Sequence, residues 1–89
     1  MKDDLGLFYY PQIGNSLLRV YVRRGPDDEV EFRLWRADQP AVWERHPWIN
    51  LSVVRSAAEL FQLERNADAN PLELYDIVVA KALLREDEA

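Results

Sequence analysis

Residues 16–36 read SLLRVYVRRGPDDEVEFRLWR, and this stretch decides the fold. In its first half Leu18, Val20 and Val22 alternate with Arg19, Tyr21 and Arg23. In its second half Val30, Phe32 and Leu34 alternate with Glu31, Arg33 and Trp35. Period-2 alternation is the mark of a strand with one buried face. The intervening Gly-Pro-Asp-Asp at 25–28 is a turn signal, so the two halves form a β-hairpin. The apolar sets share a face only in alternate registers, because a slip of one residue turns every side chain over. The register that sets Arg23 opposite Glu31, Tyr21 opposite Arg33 and Arg19 opposite Trp35 is preferred. The neighbouring permitted register faces Arg19 with Arg33, and like charges directly opposite destabilise.

Upstream, LGLFYY at 5–10 reads as a third strand, joined to the hairpin through PQIGNS at 11–16, whose Pro, Gly, Asn and Ser suit a loop. Downstream, Leu51, Val54, Ala58 and Phe61 recur at helical spacing, which predicts a helix from about Leu51 to Arg65 capped by Asn50 or Ser52. The Asn66–Asn70 segment breaks the chain. Asn70-Pro71-Leu72-Glu73 then combines an N-cap, a Pro at the first helical position and a capping-box Glu, and predicts a second helix to about Arg85. Acids at 86–88 oppose the helix dipole, so 86–89 is expected to fray, as is 1–4. The expected fold is α+β: a three-stranded antiparallel sheet in β-β-β-α-α order with two helices packed on one face, forming a single domain over 1–89.

The chain has 89 residues, 48% apolar and 30% charged, with a net charge of −5 and no Cys. Size scaling gives such a chain one modest core that buries roughly 60 to 65% of its unfolded surface. Without cysteine there is no disulfide framework, zinc-finger spacing or thiol nucleophile, which fits a reducing cytoplasm. No stretch approaches the ~18 apolar residues of a membrane span, and the N-terminal residues lack a signal-peptide apolar run. The negative balance argues against a generic nucleic-acid binder. It is uneven: from His46 onward four basic residues face eight acids, while the first half is rich in arginine.

The signatures of catalysis and metal binding are missing from the sequence. His46 is the only histidine, so it has no second imidazole for a metal site and no recognisable dyad. Asn66, Asp68 and Asn70 match the opening spacing of a calcium loop. Pro71 and Ile77 then stand where Gly and a bidentate Glu belong. Gly6, Gly14 and Gly25 are isolated, and no phosphate loop or nucleophile elbow occurs. The expectation is a protein that is not an enzyme and takes no cofactor and no metal.

Two features point to binding. Arg19, Tyr21, Arg23, Arg33 and Trp35 fall together on the outer sheet face, an arginine and aromatic platform of the type that stacks bases. The second is apolar surface for a protein partner or a second copy of the chain. Trp43, Arg45, His46 and Trp48 lie in the WERHPWIN segment (43–50), expected as a connector whose large side chains lid the core. Tyr75, Val79 and Leu83 lie on a last helix whose apolar residues spread around most of its circumference. The predicted function is a non-enzymatic protein–protein interaction module, a homodimer or accessory subunit, with single-stranded nucleic-acid binding on the sheet face as the alternative. In order, Leu34-Trp35, then Pro40-Ala-Val-Trp43, then a helix and a polar turn, the chain is loosely similar to MbtH-like proteins, which bind adenylation domains of peptide synthetases. It lacks that family's Ser-x-Trp-Pro and Thr-Asp-x-Arg-Pro motifs, and no residue role is carried over.

Overall fold

The computed structural model describes the backbone of residues 1–64 and 74–88, and the side chains of 1–59 and 74–88. The central hairpin forms in the preferred register. β3 (Leu18–Arg24) pairs antiparallel with β4 (Val30–Arg36), with Arg19 opposite Trp35, Tyr21 opposite Arg33 and Arg23 opposite Glu31. The Arg23 Nε to Glu31 distance is 2.6 Å, so the cross-strand ion pair that favours this register is made. Its turn closes with Asp28 N–H donating to Gly25 O at 3.0 Å and Gly25 N–H to Glu29 O at 2.7 Å. Asp28 takes φ 62°, a left-handed conformation that Asp tolerates better than most residues.

The sheet is larger than the three strands expected. It has five in simple sequential order, all antiparallel: β1 (Lys2–Asp3), β2 (Gly6–Tyr9), β3, β4 and β5 (Ile49–Asn50). β2 is the strand expected in LGLFYY. β1 and β5 are two residues each, too short to carry an alternation, and only pairing with a neighbour defines them. β1 also occupies the N-terminal residues expected to fray. β5 lies inside the segment expected to be a connector, and a five-residue helix, α1 (Ala41–Arg45), which begins immediately after Pro40, runs into its start.

With α2 (Leu51–Glu64) and α3 (Ile77–Glu88) the described residues hold three helices rather than two. α2 starts where its periodicity places it, and the Asn50 side chain accepts a hydrogen bond from Val53 N–H at 3.0 Å. The expected start of the last helix at Asn70–Glu73, and the Asn66–Asn70 turn, lie outside the described residues. The described helix α3 is capped by Asp76, whose Oδ1 accepts from Val78 N–H at 2.9 Å and Val79 N–H at 3.3 Å. It continues through Glu88 instead of ending near Arg85, because two of its terminal acids meet cations from the sheet: Asp87 pairs with Lys2 at 3.2 Å and Glu88 with Arg24 at 2.7 Å.

Strand alternation sorts the side chains. Tyr9, Val20, Val22, Val30 and Phe32 face α2 and α3 and form the core with Val54, Ala80 and Leu84. Ile49 of β5 joins its margin. The other sheet face carries α1, so the helices do not all lie on one side.

Candidate protein-docking face

The second sheet face is built by register. Phe8 of β2 pairs with Tyr21 of β3, which pairs with Arg33 of β4, while Arg19 pairs with Trp35 and Arg23 with Glu31. Paired residues project to one side, so these aromatics and arginines form one surface facing away from α2 and α3. α1 packs against β4 and brings Trp43 edge-on to Tyr21, with ring centroids 5.3 Å apart at 77°. Trp48, one residue before β5, lies edge-on to Trp43 at 6.1 Å.

Each guanidinium on this face is stacked. Arg19 lies 4.7 Å from the Phe8 ring and 4.4 Å from Trp35, Arg23 lies 4.3 Å from Trp48, and Arg33 lies 4.0 Å from Trp43. Such contacts hold long side chains in one conformation and give each cation a polarisable partner. Arg33 also donates Nε–H to Trp43 O at 3.0 Å, and its Nη2 donates to the same oxygen. That carbonyl belongs to the last turn of α1 and has no following turn to satisfy it, so Arg33 acts as its C-terminal cap.

The centre of the face is closed. Tyr21 has 0% exposure, buried under Trp43 and beside Phe8, whose ring lies 5.3 Å away. Its hydroxyl donates to Asp3 Oδ2 at 2.5 Å, and Arg19 Nη1 donates to the same oxygen at 3.0 Å. Burial, reinforced by the bond to Asp3, pushes the Tyr21 phenol above its ordinary range. At Asp3 burial acts upward, but hydrogen bonds from Tyr21 and from the Leu5 and Gly6 amides, with the Arg19 charge, hold the carboxyl below the usual range. The cluster pins the short strand β1 to the sheet.

The residues expected to bind a partner divide between two sides. Trp43 and Trp48 are half-buried on the arginine face, with Arg45 and His46 exposed beside them. Tyr75, Val79 and Leu83 lie on the opposite side, packed against the core, and the Tyr75 ring sits 5.5 Å from Phe32. The connector residues and the last-helix residues therefore lie on opposite sides of the sheet. Trp43 and Trp48 join Arg19, Tyr21, Arg23, Arg33 and Trp35, and the two sets merge on one face with Tyr21 as its buried centre. Phe8, Tyr10 and Asp3 complete the face. Their place follows from pairing of β1 and β2, which the amino-acid order alone does not specify.

No family model, curated protein or solved structure matches this chain.

Proposed function

We propose that the chain is a non-enzymatic protein–protein interaction module that receives its partner on the tryptophan and arginine face of the sheet. The observation that carries this reading is the convergence of all three tryptophans, half-buried, on the sheet face opposite the main core. Trp, Tyr and Arg are the residues that most often dominate binding energy at protein interfaces. Stacking fixes these side chains in advance, so less rotamer freedom is lost on docking. The partner chemistry that fits is an apolar patch set against Trp43 and Trp48 with carboxylates at its rim, where Arg45 and Arg23 are exposed.

Single-stranded nucleic acid is the second reading, because aromatic rings beside guanidiniums also stack bases. Against it, Arg19 and Arg23 already pair with Asp3 and Glu31, Arg33 is committed to a backbone carbonyl, and the chain is net negative.

The test compares capture from native lysate by wild type, Trp48→Ala and Val78→Ala, each first shown by circular dichroism to be folded. The captured protein is then purified and titrated calorimetrically at rising salt. Binding should fall at least tenfold in Trp48→Ala, stay unchanged in Val78→Ala, and weaken only mildly with salt. Tryptophan quenching by a single-stranded oligonucleotide, with affinity that collapses as salt rises, would replace this reading with the second.

A further inference from the structure

The loop from Tyr10 to Leu17, between β2 and β3, leaves the core and, beyond Tyr10 at the margin of the tryptophan face, presents apolar surface of its own. Ile13 at its tip has 107% exposure, Leu17 53% and Tyr10 38%. Single exposed aliphatics are ordinary; three in one eight-residue loop, beside a hollow, are not. A cavity of about 390 Å³ is lined by Tyr10, Gln12, Ile13, Gly14, Asn15 and Ser16, roomier than one aliphatic side chain requires.

The loop has a fixed shape. Asn15 donates its backbone N–H to Gln12 O at 3.2 Å and its side-chain amide to Gln12 Oε1 at 3.0 Å, while its Oδ1 accepts from Leu17 N–H at 3.1 Å. Leu17 O in turn accepts from Ala37 N–H at 2.9 Å, tying the loop to the end of β4. Gly14 supplies the positive φ of 80° that the turn at the tip requires. Ile13 is thus held outward at little cost in loop ordering.

We infer that this loop is a self-association site, in which Ile13 of one copy seats in the loop hollow of a second copy and the reverse. Knob and hollow belong to the same loop, which is the condition for a two-fold contact in which one patch meets itself. Charge selects the occupant. Leu5–Leu18 is the longest run of the chain without Asp, Glu, Lys or Arg, 14 residues in a protein of net charge −5. Two copies carry net charge of like sign, and this uncharged stretch is where they can meet without opposing like charges. A strongly charged partner would gain nothing there. The loop is small against the ~1,200 Å² that stable complexes bury, so the dimer is weak and depends on concentration. The inference does not rest on the proposed function, although the hollow shares Tyr10 with the margin of the tryptophan face.

Sedimentation equilibrium of the full chain over a wide concentration range tests it. Wild type should climb from 10.4 kDa toward twice that mass, and added salt should strengthen the association by screening the net charge. Ile13→Asp should remain at the monomer mass throughout. Its side chain is fully exposed, so the fold is not at risk. Val78→Asp, at another exposed aliphatic with 74% exposure, should behave as wild type. A wild-type chain that stays monomeric at every concentration overturns the inference, as does a dimer that survives Ile13→Asp.

Discussion

Tyr21 illustrates how far a single position departs from what its neighbours in sequence suggest. Between Val20 and Val22 it falls on the strand's polar parity, with Arg19 and Arg23, and alternation assigns it to solvent. It is fully buried because Trp43, twenty-two positions later, lies across it, and because Asp3 and Phe8 arrive from strands whose pairing no local pattern announces. Tyr21→Phe keeps the ring packing and removes the hydroxyl from Asp3, so urea denaturation should show a loss of about 1 kcal/mol. Tyr9, on the other side of the sheet, donates to Leu74 O at 2.5 Å and accepts from Asp76 N–H at 2.8 Å. Its removal orphans two half-buried backbone groups at the entry to α3, and Tyr9→Phe should cost more, about 1–3 kcal/mol. Burial raises both phenols above the ordinary tyrosine range, and a folded value above the unfolded one means stability that is complete below the unfolded value and lost as pH rises through the folded one. Alkaline denaturation should therefore expose both, with near-ultraviolet absorbance showing tyrosinate formation coincident with unfolding. Ionisation of both phenols in a chain that stays folded at ordinary tyrosine values would contradict the burial argument.

At the scale of elements, what was legible followed length. β3 and β4 run seven residues each, enough for alternation to fix face and register, and the charge pairing of Arg23 with Glu31 chose between permitted registers. α2 has both periodicity and a cap. β1, β5 and α1 span two to five residues and owe their existence to partners: β2 for β1, β4 for β5, and the Arg33 guanidinium on the last turn of α1. By its sequence the last helix is apolar around most of its circumference, and its neighbours cover more of it than one stripe. Val79, Ala80, Leu83 and Leu84 are packed inward and Val78 is left outside. Adjacent substitutions separate these environments. Val79→Glu places a carboxylate against the core and should cost several kcal/mol or prevent folding, whereas Val78→Glu should change stability by no more than about 0.5 kcal/mol. Ala80 has no exposed surface, so Ala80→Leu should overpack the helix against the sheet and cost about 1–3 kcal/mol. Thermal melts of the three variants check the assignment of faces, and equal losses at 78 and 79 would refute it.

For the molecule as a whole, the sheet is a partition with an aliphatic, helix-covered side and an aromatic, arginine-rich side. The candidate site was half legible for that reason: composition picked out the tryptophans and the sheet arginines separately, while only the chain's path through α1 and β5 lays one over the other. The same partition leaves the end of α3 to be held electrostatically. Its terminal carboxylates sit at the unfavourable end of the helix dipole, and the chain recovers the contact by meeting them with Lys2 from β1 and Arg24 from β3. Arg24 makes a two-pronged bond to Glu88, Nη2 to Oε1 at 2.7 Å and Nε to Oε2 at 3.0 Å, and this bond holds the Glu88 carboxyl below its ordinary range. A folded value below the unfolded one contributes stability that is present above the unfolded value and disappears as pH falls through the folded one. The last turn of α3 should accordingly loosen on acidification below the normal glutamate range, and at neutral pH it should loosen as salt screens these exposed pairs. Hydrogen-exchange protection of the amides at 85–88 measures this directly. Protection should fall with acid or salt in wild type, while in Glu88→Gln it should be low already at neutral pH and respond weakly to acid. Protection in that variant equal to wild type would mean that apolar packing at Leu83 and Leu84, rather than the ion pairs, secures the end of the helix.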